Sequence, residues 1–71
     1  MSLFYVDKKA QENGDHEIHT ASCTHSPGIK NCDPLGYHIA CSTALDAAKA
    51  IYPQSNGCYY CSHSSYHSED K

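Results

Sequence analysis

The sequence predicts a small α+β domain stabilised by zinc: a short antiparallel sheet of about three strands, one main helix over residues 42–52, and two metal knuckles. Three observations carry that expectation. The 71 residues include five Cys and six His, whereas hydrophobic residues reach only 39% and Trp is absent. A domain of this size buries only about 60% of the surface its unfolded chain exposes. Such domains commonly add disulfides, a metal or a partner subunit. The odd cysteine count, with no secretory signal read at the start, argues against an oxidised framework. Finally, the cysteines and histidines fall into closely spaced pairs, the pattern a tetrahedral ion requires.

The elements follow in order. Leu3-Phe4-Tyr5-Val6 is aromatic and branched and reads as a strand, closed by a polar, Gly-containing loop over residues 7–15. His16-Glu17-Ile18-His19 is a second short strand, with Ile18 on one face and Glu17 and His19 on the other. Residues 20–34 read as an irregular loop, punctuated by the turn signals Pro27-Gly28 and Asp33-Pro34. β-favouring residues return over 35–40 as a third strand.

Ser42 or Thr43 suits the cap of the following helix, and Asp46 adds negative charge near its start. Ala44, Leu45, Ala48, Ile51 and Tyr52 fall at helical spacing as an apolar face, while Asp46 and Lys49 face water. Pro53 ends the helix. Ser55-Asn56-Gly57 then reads as a turn, with Gly57 permitting the bend that delivers Cys58-Tyr59-Tyr60-Cys61. One domain over residues 1–62 is expected, followed by a flexible tail over residues 63–71.

Cys58-x-x-Cys61 is the strongest local signal for chemistry. A two-residue spacer in a tight turn lets two thiolates point at one ion about 2.3 Å away. A redox dithiol would instead sit at a helix N-terminus that lowers one thiol's pKa, and here the motif follows the helix. His19-x-x-x-Cys23 supplies a second pair, giving a closed site of three cysteines and one histidine: His19, Cys23, Cys58 and Cys61. The alternative ligands are Cys41, Cys32, His63 and His67. Cys32 and Cys41 read as small buried hydrophobes, one in the loop and one where the helix begins. His63 and His67 have a permitted finger spacing, but with Cys58 and Cys61 they would crowd all donors into one segment and leave Cys23 unused. His16, His25 and His38 read as solvent-facing, with His16 a candidate hydrogen-bond partner of the site.

The pattern resembles a known family. His19 and Cys23, a β segment, a helix carrying Ala44-Leu45-Asp46-Ala47-Ala48-Lys49, and then Gly57-Cys58-x-x-Cys61 together resemble the Ada-like zinc domain. That family is named for the N-terminal metal-binding domain of the bacterial Ada methyl-phosphotriester repair protein. The resemblance covers roughly residues 16–62 and implies a zinc knuckle fold. The repair domain uses four cysteines, one of which accepts the methyl group. Here the matching first position is His19, whose imidazole cannot be a thiolate acceptor, so the resemblance implies the site without the repair activity. Small stand-alone bacterial proteins carrying Gly-Asp-His-Glu and Gly-Cys-Tyr-Tyr-Cys segments are also similar.

The function expected is therefore a structural zinc domain acting as a non-enzymatic binding or adaptor module for a protein partner, since no nucleophile, base and orienter trio is evident. The formal charge is −3, and the five basic residues, all Lys, are scattered. That lacks the basic stripe nucleic-acid binding normally uses, so a nucleic-acid-binding zinc domain stands as the alternative, with exposed tyrosines stacking on bases. A thiol or redox protein ranks below it. No segment approaches the roughly 20 apolar residues of a membrane span. A cytoplasmic monomer is expected, with zinc kept by reduced thiols.

Overall fold

The computed structural model of the chain describes residues 1–66. Four strands, one helix and two 3-10 turns follow in the order β1 (Ser2–Asp7), β2 (His16–Thr20), a turn at Ile29–Asn31, β3 (Cys32–His38), α1 (Cys41–Ile51), β4 (Ser55–Gly57) and a turn at His63–Ser65. The α+β class is as expected from the sequence, with one strand more. The sheet order is β3-β1-β2-β4, and it is mixed: β1 runs antiparallel to β2 and β3, while β4 runs parallel to β2.

The sequence places β4 as a turn because Asn56-Gly57 is a strong turn signal, and the structure corrects that reading. Asn56 is buried and its side-chain amide donates to the Asp15 carboxylate at 3.1 Å, which ties the strand to the β1–β2 loop. Gly57 serves a close approach instead of a bend. Its φ is not positive, and a Cβ there would lie 2.5 Å from the Ser62 carbonyl oxygen.

The third strand also starts earlier than expected. Cys32 and Asp33 pair with Asp7 and Val6, so the Asp33-Pro34 turn signal is overridden by pairing with β1. A proline is tolerated because β3 lies at the sheet edge, where a missing N–H breaks no inner ladder. Leu35 is the extra residue of a bulge opposite Phe4 and Tyr5, and Gly36 takes the φ of 85° that follows it.

Helix α1 begins at Cys41, one residue before the expected start, with Ala40 as N-cap and no side-chain cap. The Thr43 hydroxyl donates back to the Ala40 carbonyl at 2.9 Å, so neither Ser42 nor Thr43 caps the helix as expected. With that start Asp46 lies beyond the first turn. Ala44, Leu45 and Ala48 face the sheet and form the core with Phe4, Val6 and Ile18, while Leu35, Cys41 and Tyr52 pack at its margin. Ile51, expected on the apolar face, is half exposed. Tyr52 is the C-cap, and its hydroxyl donates to the Asp33 carboxylate at 2.7 Å, which holds the helix end to β3.

The segment expected as a flexible tail starts as part of the domain. Ser62 and Ser65 are buried, and the turn at His63–Ser65 packs against α1 and β4. The backbone of Ser62 and Ser65 fits closely on Gly57. Residues 67–71, and with them the alternative ligand His67, lie outside the described residues.

Candidate metal centre

Strand β2 gives the site its first donor. Alternation sends Ile18 into the core and turns His19 to the opposite face, where both remain essentially fully buried, at 0% and 1% exposure. The chain then leaves β2 in a tight turn. Ala21 donates its N–H to the Leu3 carbonyl and Cys23 donates to the Thr20 carbonyl, which folds the Cys23 thiol back over the strand end. From the other side, Cys58 extends the β4 pairing by donating its N–H to the Ile18 carbonyl at 3.1 Å. The Ser62 N–H closes a turn onto the Cys58 carbonyl at 2.9 Å and carries Cys61 round to face His19.

Four donor atoms meet as a result. Cys23 Sγ lies 3.9 Å from Cys58 Sγ, and Cys61 Sγ lies 3.8 Å from His19 Nδ1. All four ligand atoms fall within 4.8 Å of one another and can hold a metal ion. A tetrahedral zinc with bonds of about 2.3 Å to sulfur and about 2.0 to 2.1 Å to nitrogen requires S···S edges of about 3.8 Å and N···S edges of about 3.6 Å. The Cys23–Cys58 and Cys61–His19 edges lie within a few tenths of an ångström of those values. All five cysteines are free, so the contact between Cys23 and Cys58 is not a disulfide.

The far side of the imidazole faces carboxylates. His19 Nε2 lies 3.1 Å from Asp7 Oδ1 and 3.6 Å from Glu17 Oε1. The approach is oblique to the ring N–H, and among the described residues Nε2 has no aligned hydrogen-bond partner. Asp7, Glu17 and His19 form a second group close enough to hold a cation. Burial disfavours an imidazolium here, but the Asp7 carboxylate and the thiols of Cys23 and Cys61 outweigh it and hold the His19 pKa up to about 10. Glu17 is pushed above its ordinary value chiefly by burial.

The alternative ligands within the described residues stand elsewhere. Cys32 is buried at the start of β3, with its thiol donating to Asp7 Oδ1 at 3.5 Å and lying 3.9 Å from the Ser26 hydroxyl. Burial pushes its pKa up. Cys41 opens α1, and its sulfur contacts the Ser64 and Ser65 hydroxyls at 2.8 and 2.9 Å. His63 is exposed, with its ring edge-on to Tyr59 at 4.6 Å. His16 does not reach the centre. Its Nδ1 lies 2.8 Å from the Asp7 carbonyl oxygen, and its ring stacks on Tyr52 at 3.9 Å.

Sequence reasoning missed Asp7, which ends β1 and reads alone as the first residue of a polar loop. The signal available was alternation: with Val6 in the core, Asp7 must point to the face that His19 shares once β1 and β2 pair. The second knuckle also carries aromatic surface. Tyr59 and Tyr60 are 52% and 66% exposed. His25 stacks on Tyr60 at 3.7 Å, and Tyr59 meets Tyr60 and Tyr66 edge-on at 5.3 Å each. No protein-family model matches the chain, and neither the curated proteins nor the solved structures give a significant match. Among the described residues no helix is long and apolar enough to cross a membrane.

Proposed function

We propose that this protein is a structural zinc domain of the reducing cytoplasm, a non-enzymatic module whose ion holds the two knuckles together and presents a surface to a protein partner. The observation that carries this reading is the set of donor distances around His19 Nδ1 and the three thiols, close to the edges of a zinc tetrahedron. Thiolate-rich donors favour zinc over the harder cations. With four protein donors the site is closed, the form in which zinc stabilises folds instead of activating water. The Ada-like layout belongs to the same proposal, with His19 in the first knuckle excluding methyl acceptance at that position.

Native mass spectrometry of protein produced in zinc-supplemented medium tests it. One bound zinc per chain is expected, lost on exposure to a strong chelator together with the folded charge-state distribution. A folded, metal-free protein under those conditions overturns the proposal.

The exposed rings of Tyr59 and Tyr60 favour a second reading, stacking of single-stranded nucleic acid on the knuckle. Against it stand the net charge of −3 and His25, which already covers one face of Tyr60. Titration of single- and double-stranded DNA at low salt separates the two. Salt-sensitive binding that Tyr59→Ala abolishes would support the nucleic-acid reading, and no binding would remove it.

A further inference from the structure

We infer that Asp7 is a positioning residue for the metal centre, fixing His19 so that Nδ1 is the bare, metal-facing nitrogen, and that the Cys32 thiol holds Asp7 in place for that task. The inference rests on the zinc reading above and assigns work to two residues outside the ligand set.

A neutral imidazole carries one ring proton, and only the nitrogen without it can bind a metal. His19 Nδ1 faces the thiols, with Cys61 Sγ at 3.8 Å, whereas Nε2 faces the Asp7 carboxylate at 3.1 Å. An ionised carboxylate accepts but cannot donate, so it favours the tautomer with the proton on Nε2. That tautomer leaves Nδ1 free for the ion. With His19 only 1% exposed, bulk water does not supply another acceptor, and the lack of an aligned partner for Nε2 leaves Asp7 as the nearest one. Glu17, at 3.6 Å and less buried, is the weaker neighbour.

Asp7 is itself held on several sides. It pairs with Cys32 across β1 and β3, its carbonyl oxygen meets His16 Nδ1 at 2.8 Å, and Oδ1 accepts from the Cys32 thiol at 3.5 Å. A chain of contacts therefore runs from a buried thiol through a carboxylate to the ring. Carboxylate partners of metal-bound histidines fix the ring's tautomer and orientation, and their loss typically weakens metal binding by about 10 to 100-fold.

The test uses the full zinc-loaded chain, with affinity read by chelator competition and the His19 tautomer by long-range ¹H–¹⁵N NMR. Wild type is expected to bind one zinc through His19 Nδ1 with a proton on Nε2. Asp7→Ala should weaken zinc by about 10 to 100-fold. Asp7→Asn, whose amide oxygen still accepts, should fall between it and wild type and gives a readout if the alanine variant fails to fold. Cys32→Ser, which keeps a donor, should stay near wild type while Cys32→Ala weakens binding, a rescue that simple packing would not produce. Unchanged affinity in both Asp7 variants, or ligation through Nε2, overturns this inference alone. Two zinc ions in wild type, one of them lost in Glu17→Gln, overturns it in favour of a second cation between Nε2 and the carboxylates. Wild type that binds no zinc removes both this inference and the zinc reading.

Discussion

The two faces of β2 make a controlled comparison within a single strand. Ile18 and His19 are neighbours, both buried, yet they belong to different kinds of interior. Ile18 enters a core completed by Phe4, Val6, Ala44, Leu45 and Ala48, where three of the six side chains are alanine or valine and the removable apolar area is small. His19 enters a polar interior of thiols and carboxylates, which is costly to bury unless each group finds a partner. The difference teaches that, on the zinc reading proposed above, burial on one face and coordination on the other would be complementary. On that reading the ion supplies stability that a core this modest lacks, and it satisfies the donors that make the second face costly to bury.

The largest expected effect comes from removing the ion. Apparent zinc-binding free energies in finger peptides are about 10 to 16 kcal/mol, and they appear as folding free energy. Chelation should therefore collapse the dispersed amide spectrum, and His19→Ala or Cys58→Ala should do so without chelator. A metal-stripped chain with an unchanged spectrum would mean that the Ile18 face suffices alone.

Next in size, Ile18→Ala in the zinc-saturated protein should cost about 2 to 5 kcal/mol by chemical denaturation, from lost burial and the cavity left behind. Zinc stoichiometry should stay at one. Loss of the metal in that variant would show that the two faces cannot be separated. Gly57→Ala probes the seam between them, because a Cβ would meet the Ser62 carbonyl oxygen at 2.5 Å and the Ser65 backbone at 2.8 Å. A cost of about 1 to 3 kcal/mol is expected from the forced backbone shift.

The most specific effect is the pH response, which is small for any single pH unit. With a pKa raised to about 10, His19 is protonated in the metal-free protein at neutral pH, and zinc must displace that proton. Below that pKa the His19 proton alone should weaken zinc by about tenfold for each unit the pH falls, equivalent to about 1.4 kcal/mol per unit. The metal-free form should respond oppositely. A histidine pKa raised on folding gives stability that is fully present below about 6.5 and is lost as pH rises toward about 10. Isothermal titration across pH, paired with denaturation of the stripped protein, checks both signs.

Much of this was legible in the sequence because it depended on spacing. His19-x-x-x-Cys23 and Cys58-x-x-Cys61 each fit one turn, and the helix follows from its apolar period. What was not legible depended on pairing between distant segments. Asn56-Gly57 is a turn signal locally, but here it forms a strand because Asn56 finds Asp15 and Gly57 admits the Ser62–Ser65 backbone. Asp33-Pro34 misleads in the same way, overridden by β1 at an edge where proline costs little. Asp7 is visible as a partner of His19 only once the β1–β2 register is known, since its neighbour Val6 fixes its face but not what lies across from it.

The parallel pairing of β4 with β2 also sets the order in which the molecule can assemble. β1 and β2 can meet as neighbours along the chain, but Cys58 stands 35 positions beyond Cys23, and no donor set exists until that span has closed. Closing a flexible loop costs entropy that grows only slowly, by about 0.6 kcal/mol for each doubling of its length. On the zinc reading, an ion bridging the two knuckles would act as a reversible cross-link, and lengthening the exposed stretch around Thr24 should add little to the cost of closure. The donor pairs are confined to short turns, while the mostly exposed residues 24–31 have more room to vary than α1, which builds the core.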